Sequence, residues 1–358
     1  MLKGLRVLDF SRLLPGAYCT LLLADLGADV IKVEQAGRGD PLRAMPGGPA
    51  YFDALHRGKR GVALRFKTPA GQAAIRRLVA ANDVLVEGFR PGVMEKLGLG
   101  YEDLMQVNPR LVYCAITGYP SNGLLRERAG HDLNYLALGG PLSLMPKTSE
   151  GTPAIPSIQT ADLGGAVTAA MAILAALLER ARTGRGRRLE VPMMDVVQSW
   201  IGHWFAGARA GTAGLDLTGG LPCYHVYRVQ DGFLTVAALE TPFWLAFCDG
   251  IGRPDLGSRQ ADSGAIVEVQ SVLASRTRDQ WMAVFNQKDA CVEPCLSLEE
   301  ALARGVPQGA PVLAGNERPV ANGRAPTLGE HTATVLEECG LSPVEIAAAT
   351  RAAPEEAR

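Results

Sequence analysis

The sequence predicts an α/β protein whose parallel sheet is covered by helices on both faces, followed by a smaller domain. Short apolar segments alternate with helical segments over roughly the first 190 residues, a pattern typical of a sheet buried on both faces. The chain has 358 residues, more than the roughly 250–300 that one hydrophobic core usually serves. After residue 205 the composition changes, and Gly, Ala and Thr dominate.

Each predicted strand of the first part is a short run rich in apolar residues. The strands are Leu5–Phe10, Asp29–Glu34, Gly61–Phe66, Asp83–Glu87, Leu111–Thr117 and Arg188–Pro192. Proline or glycine marks several helix ends between them. The predicted helices run from Pro15 to about Leu26, over Pro69–Ala81, over Pro91–Leu97 and over Asp162–Thr183.

The second part of the chain differs from the first in composition and contains two candidate linkers. We predict a large domain over 1–205, a linker over 206–222, a small domain over 223–304, a second linker over 305–330, and C-terminal helices over 331–358 that return to the large domain. Within the small domain, Tyr224–Arg228 and Phe233–Ala238 predict a hairpin with a Gln-Asp-Gly turn.

Charge and cysteine content exclude several function classes. The net charge of −1 disfavours a globally basic nucleic-acid-binding protein. The seven cysteines are scattered and include no CxxC pair, which disfavours zinc and predicts free thiols in a reducing, cytoplasmic compartment. The longest apolar run, Leu163–Leu178, is flanked by Asp162 and Glu179, and we interpret it as a buried helix. We therefore expect that the protein does not bind a membrane.

Three residues could carry acid–base chemistry, although each has a structural alternative. His131 follows a Gly and is either a helix cap or a general base. Asp162 precedes an apolar helix and is either its N-cap or a carboxylate that acts as acid, base or nucleophile. Glu240 follows the hairpin and is either a solvated strand end or a third site residue. On each residue alone, the structural alternative is favoured.

A basic segment precedes the third predicted strand. Arg57, Lys59 and Arg60 surround a Gly, and Arg90 stands before Pro91 and Gly92. Such clusters are often solvated charge runs, but Arg and Lys beside glycine can also bind phosphate oxygens. Because the chain is nearly neutral, a phosphorylated small molecule fits them better than a polyanion.

Several segments together resemble the family III CoA-transferase superfamily. They are Arg57–Arg60, Phe89–Met94, Ala129–Leu138, Thr160–Gly165, Asp289–Pro294 and Leu328–Thr332. Within the superfamily the chain is most similar to the α-methylacyl-CoA racemases, which carry His where transferases usually carry Tyr, as at His131, and a Glu before Phe-Trp, as at Glu240. Two segments depart from the racemases: Glu34–Pro41 resembles the transferases, and Leu64–Lys67 replaces a usual Leu-Asp-Leu-Lys.

The resemblance implies a Rossmann-like large domain that binds CoA, a small α+β domain and two interlocked chains in a homodimer. Each site would lie between the large domain of one chain and the small domain of the other, with an acyl-CoA as substrate and no separate cofactor. The catalytic residues would be His131, Asp162 and Glu240. The residues that bind CoA or substrate would be Arg38, Arg57, Lys59, Leu64, Arg65, Phe66, Lys67, Arg90, Gly130, Asp132, Leu133, Asn134 and Tyr135.

The expected reaction inverts the α-carbon of 2-methylacyl-CoA thioesters by 1,1-proton transfer through an enolate. His131 and Asp162 would serve opposite faces of that carbon. Burial should raise the pKa of Asp162 and a helix N-terminus should oppose it, a conflict that a proton shared with Glu240 would resolve. The helix start after Asp162 is a candidate donor to the enolate oxygen.

Two alternatives remain open from sequence. In a family III CoA-transferase, Asp162 would attack the acyl-CoA as a nucleophile and form an anhydride. In a non-catalytic CoA-binding subunit, CoA binding would survive the loss of His131 and Asp162.

Overall fold

The computed structural model describes residues 1–211, 217–305, 309–312 and 319–351. The chain divides into two compact units. The first contains Met1–Leu144, Pro153–Ile201 and the C-terminal part from 308 onward, and the second contains Met145–Thr152 and 202–307. Parts of both predicted linkers, and the last seven residues of the predicted C-terminal segment, lie outside the described residues.

Six parallel strands form the sheet of the first unit, which confirms the predicted α/β class. They are β1 (Arg6–Asp9), β2 (Asp29–Gln35), β3 (Arg60–Leu64), β4 (Val84–Glu87), β5 (Val112–Thr117) and β6 (Arg188–Pro192). Their order, β3-β2-β1-β4-β5-β6, is that of a Rossmann fold. The chain reverses direction across the sheet between β1 and β4, and ligands bind beyond the carboxyl ends of strands at such a point.

Helices connect and flank these strands. In chain order they are α1 (Leu13–Asp25), α2 (Gly48–His56), α3 (Pro69–Ala80), α4 (Val93–Lys96), α5 (Tyr101–Val107), α6 (Asp132–Gly139), α7 (Thr160–Thr183) and α8 (Met193–Trp200). Helices α2, α5, α6 and α8 were not predicted from the sequence. Helix α7 begins two residues earlier than predicted.

Helix α7 is long and apolar enough, by length and composition alone, to cross a membrane. It contacts α1 and β5, and its buried residues, including Ala166, Ala169 and Ile173, belong to the hydrophobic core beside β5. Those contacts match the predicted buried helix.

The second unit contains α9 (Gly202–Arg209) and a three-stranded antiparallel sheet. The sheet consists of β7 (Tyr224–Val229), β8 (Gly232–Ala237) and β9 (Val292–Pro294). Four helices complete it: α10 (Thr241–Gly250), α11 (Ala265–Leu273), α12 (Arg278–Phe285) and α13 (Leu298–Ala303). The predicted hairpin is β7 and β8. Because α9 continues to Arg209, the first four residues of the linker predicted over 206–222 are helical.

Two short helices near the C-terminus belong to the first unit and pack beside its sheet. They are α14 (Thr332–Glu338) and α15 (Pro343–Thr350). Helix α14 contacts β3 and α15 contacts α3. Backbone bonding accompanies this packing, since Arg65 N donates to Ala349 O at 3.0 Å.

Four buried charged residues form a cluster around the end of β1: Asp9 ends β1, Lys32 lies within β2, and Asp40 and Lys59 lie between β2 and β3. Asp9 Oδ2 lies 3.0 Å from Lys59 Nζ, and Lys32 Nζ lies 3.1 Å from Asp40 Oδ2 and 3.8 Å from Asp9 Oδ1. All four side chains are fully buried. Burial alone would raise the pKa of Asp9, but the two lysines hold it below its usual value.

This cluster fixes the backbone turn between β1 and α1. Lys32 Nζ donates to Ser11 O, and Asp40 Oδ1 accepts from Leu13 N at 3.4 Å. Leu13 has a φ of +61°, a conformation that costs a non-glycine residue about 1–2 kcal/mol. The buried ions hold both sides of this turn and thereby place Arg12, which lies between Ser11 and Leu13.

Replacing Lys32 by Met tests the cluster. The substitution leaves Asp40 without its buried cation, and removing one partner of a buried pair typically costs about 3–5 kcal/mol of unfolding free energy. Urea denaturation at neutral pH measures the loss. Lys288→Met is the control, because its pair with Asp249 at 2.6 Å is partly exposed and should contribute less than about 1 kcal/mol. Equal losses in the two variants would contradict the role of the cluster.

Candidate active site

A cavity of about 270 Å³ opens beyond the carboxyl ends of β1, β4 and β5. Its walls come from the residues that follow these three strands, together with the loop before α6 and the first turn of α7. The position is the one at which open parallel sheets bind ligands. The lining residues include Arg12, Gly16, Arg90, Thr117, Tyr119, Arg126, Arg128, Gly130, His131, Tyr135, Asp162 and Met193.

His131 is both a cap and a cavity residue. It is the N-cap residue of α6, and its backbone N donates to Asn134 Oδ1 at 3.0 Å. The residue is exposed and lines the cavity. The structural alternative and the functional one are therefore compatible, because a residue can cap a helix with its backbone while its ring faces a ligand site.

Asp132 does not line the cavity, and its predicted role in substrate binding stays a prediction. Its carboxylate is buried, and Oδ1 accepts hydrogen bonds from Ala161 N at 2.7 Å and Asp162 N at 3.1 Å. These N–H groups belong to the first turn of α7 and have no acceptor within that helix. Asp132 at the start of α6 thus caps a different helix, α7.

Asp162 is the third residue of α7 and not its N-cap, which is Gln159. It lines the cavity and is partly buried. Burial, followed by repulsion from the nearby carboxylate of Asp132, raises the pKa of Asp162 to about 7. The group can therefore gain or lose a proton near neutral pH.

Tyr135 and Gly130 shape the wall beside His131. The Tyr135 hydroxyl donates to Gly130 O at 2.6 Å, and its ring packs edge-on against Tyr119 with centroids 5.3 Å apart. Both residues line the cavity, and both are among the residues predicted to bind CoA or substrate. Leu133 and Asn134 do not line it; the Leu133 side chain is exposed, and Asn134 bonds the backbone of His131.

A second cavity of about 530 Å³ lies beside the ends of β1, β2 and β3. Three predicted residues line it, namely Arg38, Phe66 and Lys67. Arg12 and Phe89 line both cavities, and the Arg12 guanidinium carbon lies 4.8 Å from the centroid of the Phe89 ring. The two cavities therefore adjoin at this cation–π pair.

Four other predicted binding residues line neither cavity. Arg57 forms a two-bond ion pair with Asp25, with both distances 2.7 Å. Lys59 is buried against Asp9, so it is not the surface phosphate ligand that its sequence context indicated. Leu64 is fully buried in the core beside the sheet, and Arg65 lies at the contact with α15. Arg90, in contrast, lines the first cavity.

Glu240 belongs to the second unit. It is the N-cap residue of α10, its carbonyl accepts from Phe243 N and Trp244 N at 3.1 Å each, and the residue is exposed. Its predicted catalytic role stays a prediction.

Several cavity residues were not predicted from the sequence. Arg12 lies three residues before the predicted helix start at Pro15 and directly before the observed start of α1 at Leu13, so its position near a helix N-terminus was a usable signal. Arg126 and Arg128 lie in the loop before His131, whose basic character was also visible. Nothing in the sequence marked Thr117 as a cavity residue, because only the fold shows that the end of this buried strand lines the cavity. The Thr117 hydroxyl oxygen is buried and has no hydrogen-bond partner among the described residues.

A crevice with several arginines at a sheet reversal, together with a carboxyl group whose pKa is raised to about 7, is typical of the active sites of α/β enzymes. A sequence model of CoA-transferase family III matches residues 2–323, and the chain belongs to this family. Human α-methylacyl-CoA racemase is 36% identical over 96% of this chain and 95% of its own length. Succinyl-CoA:mesaconate CoA-transferase of Haloarcula marismortui is 33% identical over 95% of this chain and 96% of its own.

Solved structures agree with the sequence relatives. A CAIB/BAIF family protein from Brucella suis superimposes with a TM-score of 0.82 at 28% identity, over 94% of this chain and 99% of that one. The Mycobacterium tuberculosis protein Rv3272 gives 0.80 at 32% identity, over 93% and 98%. The chain is therefore an enzyme of an acyl-CoA-handling family, and the alternative of a non-catalytic subunit is set aside.

Asp162→Asn tests the raised pKa without any substrate. The ordinary Asp pKa is 3.8 and the folded value is about 7, so ionisation of Asp162 in the folded protein reduces stability as pH rises from about 4 to 7. The reduction reaches at most about 4 kcal/mol above pH 7. Urea denaturation measures the unfolding free energy of the Asn variant relative to the native protein. This difference should shift in favour of the variant from pH 4 to pH 8. If the difference in unfolding free energy between the two proteins is the same at pH 4 and pH 8, the raised pKa of Asp162 is contradicted.

Proposed function

We propose that this enzyme inverts the α-carbon of 2-methylacyl-CoA thioesters by 1,1-proton transfer. The observation that carries the proposal is the presence of His131 and Asp162 on the walls of one cavity, with an Asp162 pKa of about 7. The similarity to a racemase along nearly the whole chain supports it.

The reaction needs a base on one face of the α-carbon and an acid on the other. A thioester makes its α-hydrogen more acidic, but that hydrogen remains a weak acid, so the two groups must be close to it. One of His131 and Asp162 removes the α-proton while the other delivers a proton to the opposite face. The roles exchange in the reverse direction, which requires both groups to hold or release a proton near neutral pH.

The enolate oxygen requires a hydrogen-bond donor, and the start of α7 is a poor candidate. Ala161 N and Asp162 N already donate to Asp132, and Leu163 N donates to Gln159 O at 3.0 Å. At the start of α6, the N–H groups of Asp132 and Leu133 have no acceptor among the described residues. The first turn of α6, directly after His131, is our candidate for the donor, although Asp132 and Leu133 do not themselves line the cavity.

The second cavity suits the nucleotide part of CoA. Arg38, Lys67 and Lys96 supply positive charge there, and Phe66 supplies an apolar surface. The thiol arm would then pass Arg12 and reach the first cavity. CoA is part of the substrate, and the proposal involves no other cofactor.

We also propose that the enzyme is a cytoplasmic homodimer in which Glu240 of one chain completes the site of the other. The exposed apolar residues Val167, Met171 and Leu178 on α7 support a covered helix face. Glu240 would bind the protonated imidazole of His131, or it would share a proton with the Asp162 carboxyl group.

Proton NMR in D₂O tests the reaction. The native enzyme should replace the α-hydrogen of a 2-methylacyl-CoA by deuterium with loss of optical activity, and His131→Ala should abolish the loss of optical activity, because inversion needs a group on each face. His225→Ala is the control, because His225 lies in the second unit and bonds Gly219 O. Loss of optical activity at the native rate in the His131 variant would exclude that residue from proton transfer.

Co-expression of His131→Ala with Glu240→Gln chains tests the shared site. In a mixed dimer one site would combine an intact His131 with an intact Glu240, and the other would lack both. Activity should return in the mixed dimer although each variant alone is inactive. No recovery in purified mixed dimers would contradict a site built from two chains.

The second candidate is acyl transfer, favoured by the Glu34–Pro41 segment and by the transferase relatives. Asp162 would attack the thioester carbonyl, expel CoA as its thiolate and form a mixed anhydride. Hydroxylamine would then convert Asp162 to a hydroxamate, which mass spectrometry detects as a modified peptide. Racemisation predicts an unmodified Asp162 under the same conditions.

A further inference from the structure

The first turns of two helices meet at one buried carboxylate. Asp132 is the first residue of α6, directly after His131, and its Oδ1 accepts hydrogen bonds from two N–H groups of α7, one of them that of Asp162 itself. The residue is only 9% exposed. His131 and Asp162 are therefore joined through one residue and two hydrogen bonds.

We propose that Asp132 is a positioning residue that holds the Asp162 carboxyl group opposite His131 by fastening the start of α7 to the start of α6. Without this acceptor, the first turn of α7 would lose the partner of two N–H groups and would fray. The inference rests on the proposed proton transfer, because the separation of the two groups matters only if both address the same carbon atom.

The negative charge of Asp132 has a second consequence. It occupies the N–H groups that would otherwise stabilise an Asp162 carboxylate, and it repels that carboxylate directly, so the pKa of Asp162 is raised. Other titratable and charged groups share the cavity wall with Asp162: Arg12, Arg90, Arg126, Arg128, His131 and Tyr135. Burial and Asp132 are the two causes that raise the Asp162 pKa.

Asp132→Asn separates the two effects. The amide oxygen can still accept from Ala161 N and Asp162 N, but the negative charge is gone. We expect α-proton exchange to stay within about threefold at its optimum, while the limb of the pH profile that Asp162 controls moves to lower pH. Asp132→Ala removes both the acceptor and the charge, so the maximum rate should fall by about tenfold or more with a smaller change in KM.

A direct titration makes the test independent of turnover. Carboxyl ¹³C NMR, with the Asp162 signal assigned from the Asp162→Asn variant, should show a lower Asp162 pKa in Asp132→Asn than in the native enzyme. Asp132→Ser is a second neutral cap if the Asn variant does not fold. Ser342→Ala is the matched control, because Ser342 caps α15 by accepting from Glu345 N at 3.4 Å and should affect stability alone.

The outcomes distinguish the two proposals. If the native enzyme exchanges no α-proton, the proposed reaction fails, whereas the NMR titration still tests the charge effect of Asp132. If the native enzyme exchanges the proton, and both Asp132 variants retain its rate, pH profile and Asp162 titration, the positioning role is overturned.

Discussion

The buried ion cluster around Asp9 is the constraint on which the binding edge of the sheet depends. Asp9 lies at the end of the central strand β1 and is fully buried, so its charge must be compensated within the protein. Lys32 supplies that compensation from β2, and Lys59 supplies it from the segment before β3. The same ions hold Ser11 and Leu13, and through them Arg12 at the border of the two cavities.

The chemistry of Asp162 also depends on one buried charged group, the carboxylate of Asp132. A helix N-terminus usually lowers the pKa of a nearby carboxyl group, which would leave Asp162 permanently ionised at neutral pH. Asp132 removes that effect because it occupies the N–H groups of the first turn of α7. The first turn of α6 keeps free N–H groups and can stabilise negative charge on a ligand instead. One carboxylate thus gives the two helix starts opposite chemical properties.

The strands, the α/β class and the alternation of helices were predictable, because buried strands are apolar runs and are local in sequence. His131 and Asp162 were predictable as a pair only through the resemblance, since each alone has a common structural role. Lys59 was misassigned because its carboxylate partner, Asp9, is 50 residues away, and a charge run beside a glycine gives no sign of burial. The start of α7 was placed too late because its cap comes from another helix. Non-local polar contacts of this kind are set by the fold.

The most direct test of the proposed proton transfer is to locate the deuterium at low conversion. A single enantiomer of a 2-methylacyl-CoA is incubated with the native enzyme in D₂O, the reaction is stopped early, and the two enantiomers are separated and analysed by mass spectrometry. Two opposed groups predict that the inverted enantiomer carries one deuterium while the remaining starting enantiomer still carries hydrogen. Deuterium mainly in the starting enantiomer, or no deuterium in either, would contradict transfer between His131 and Asp162.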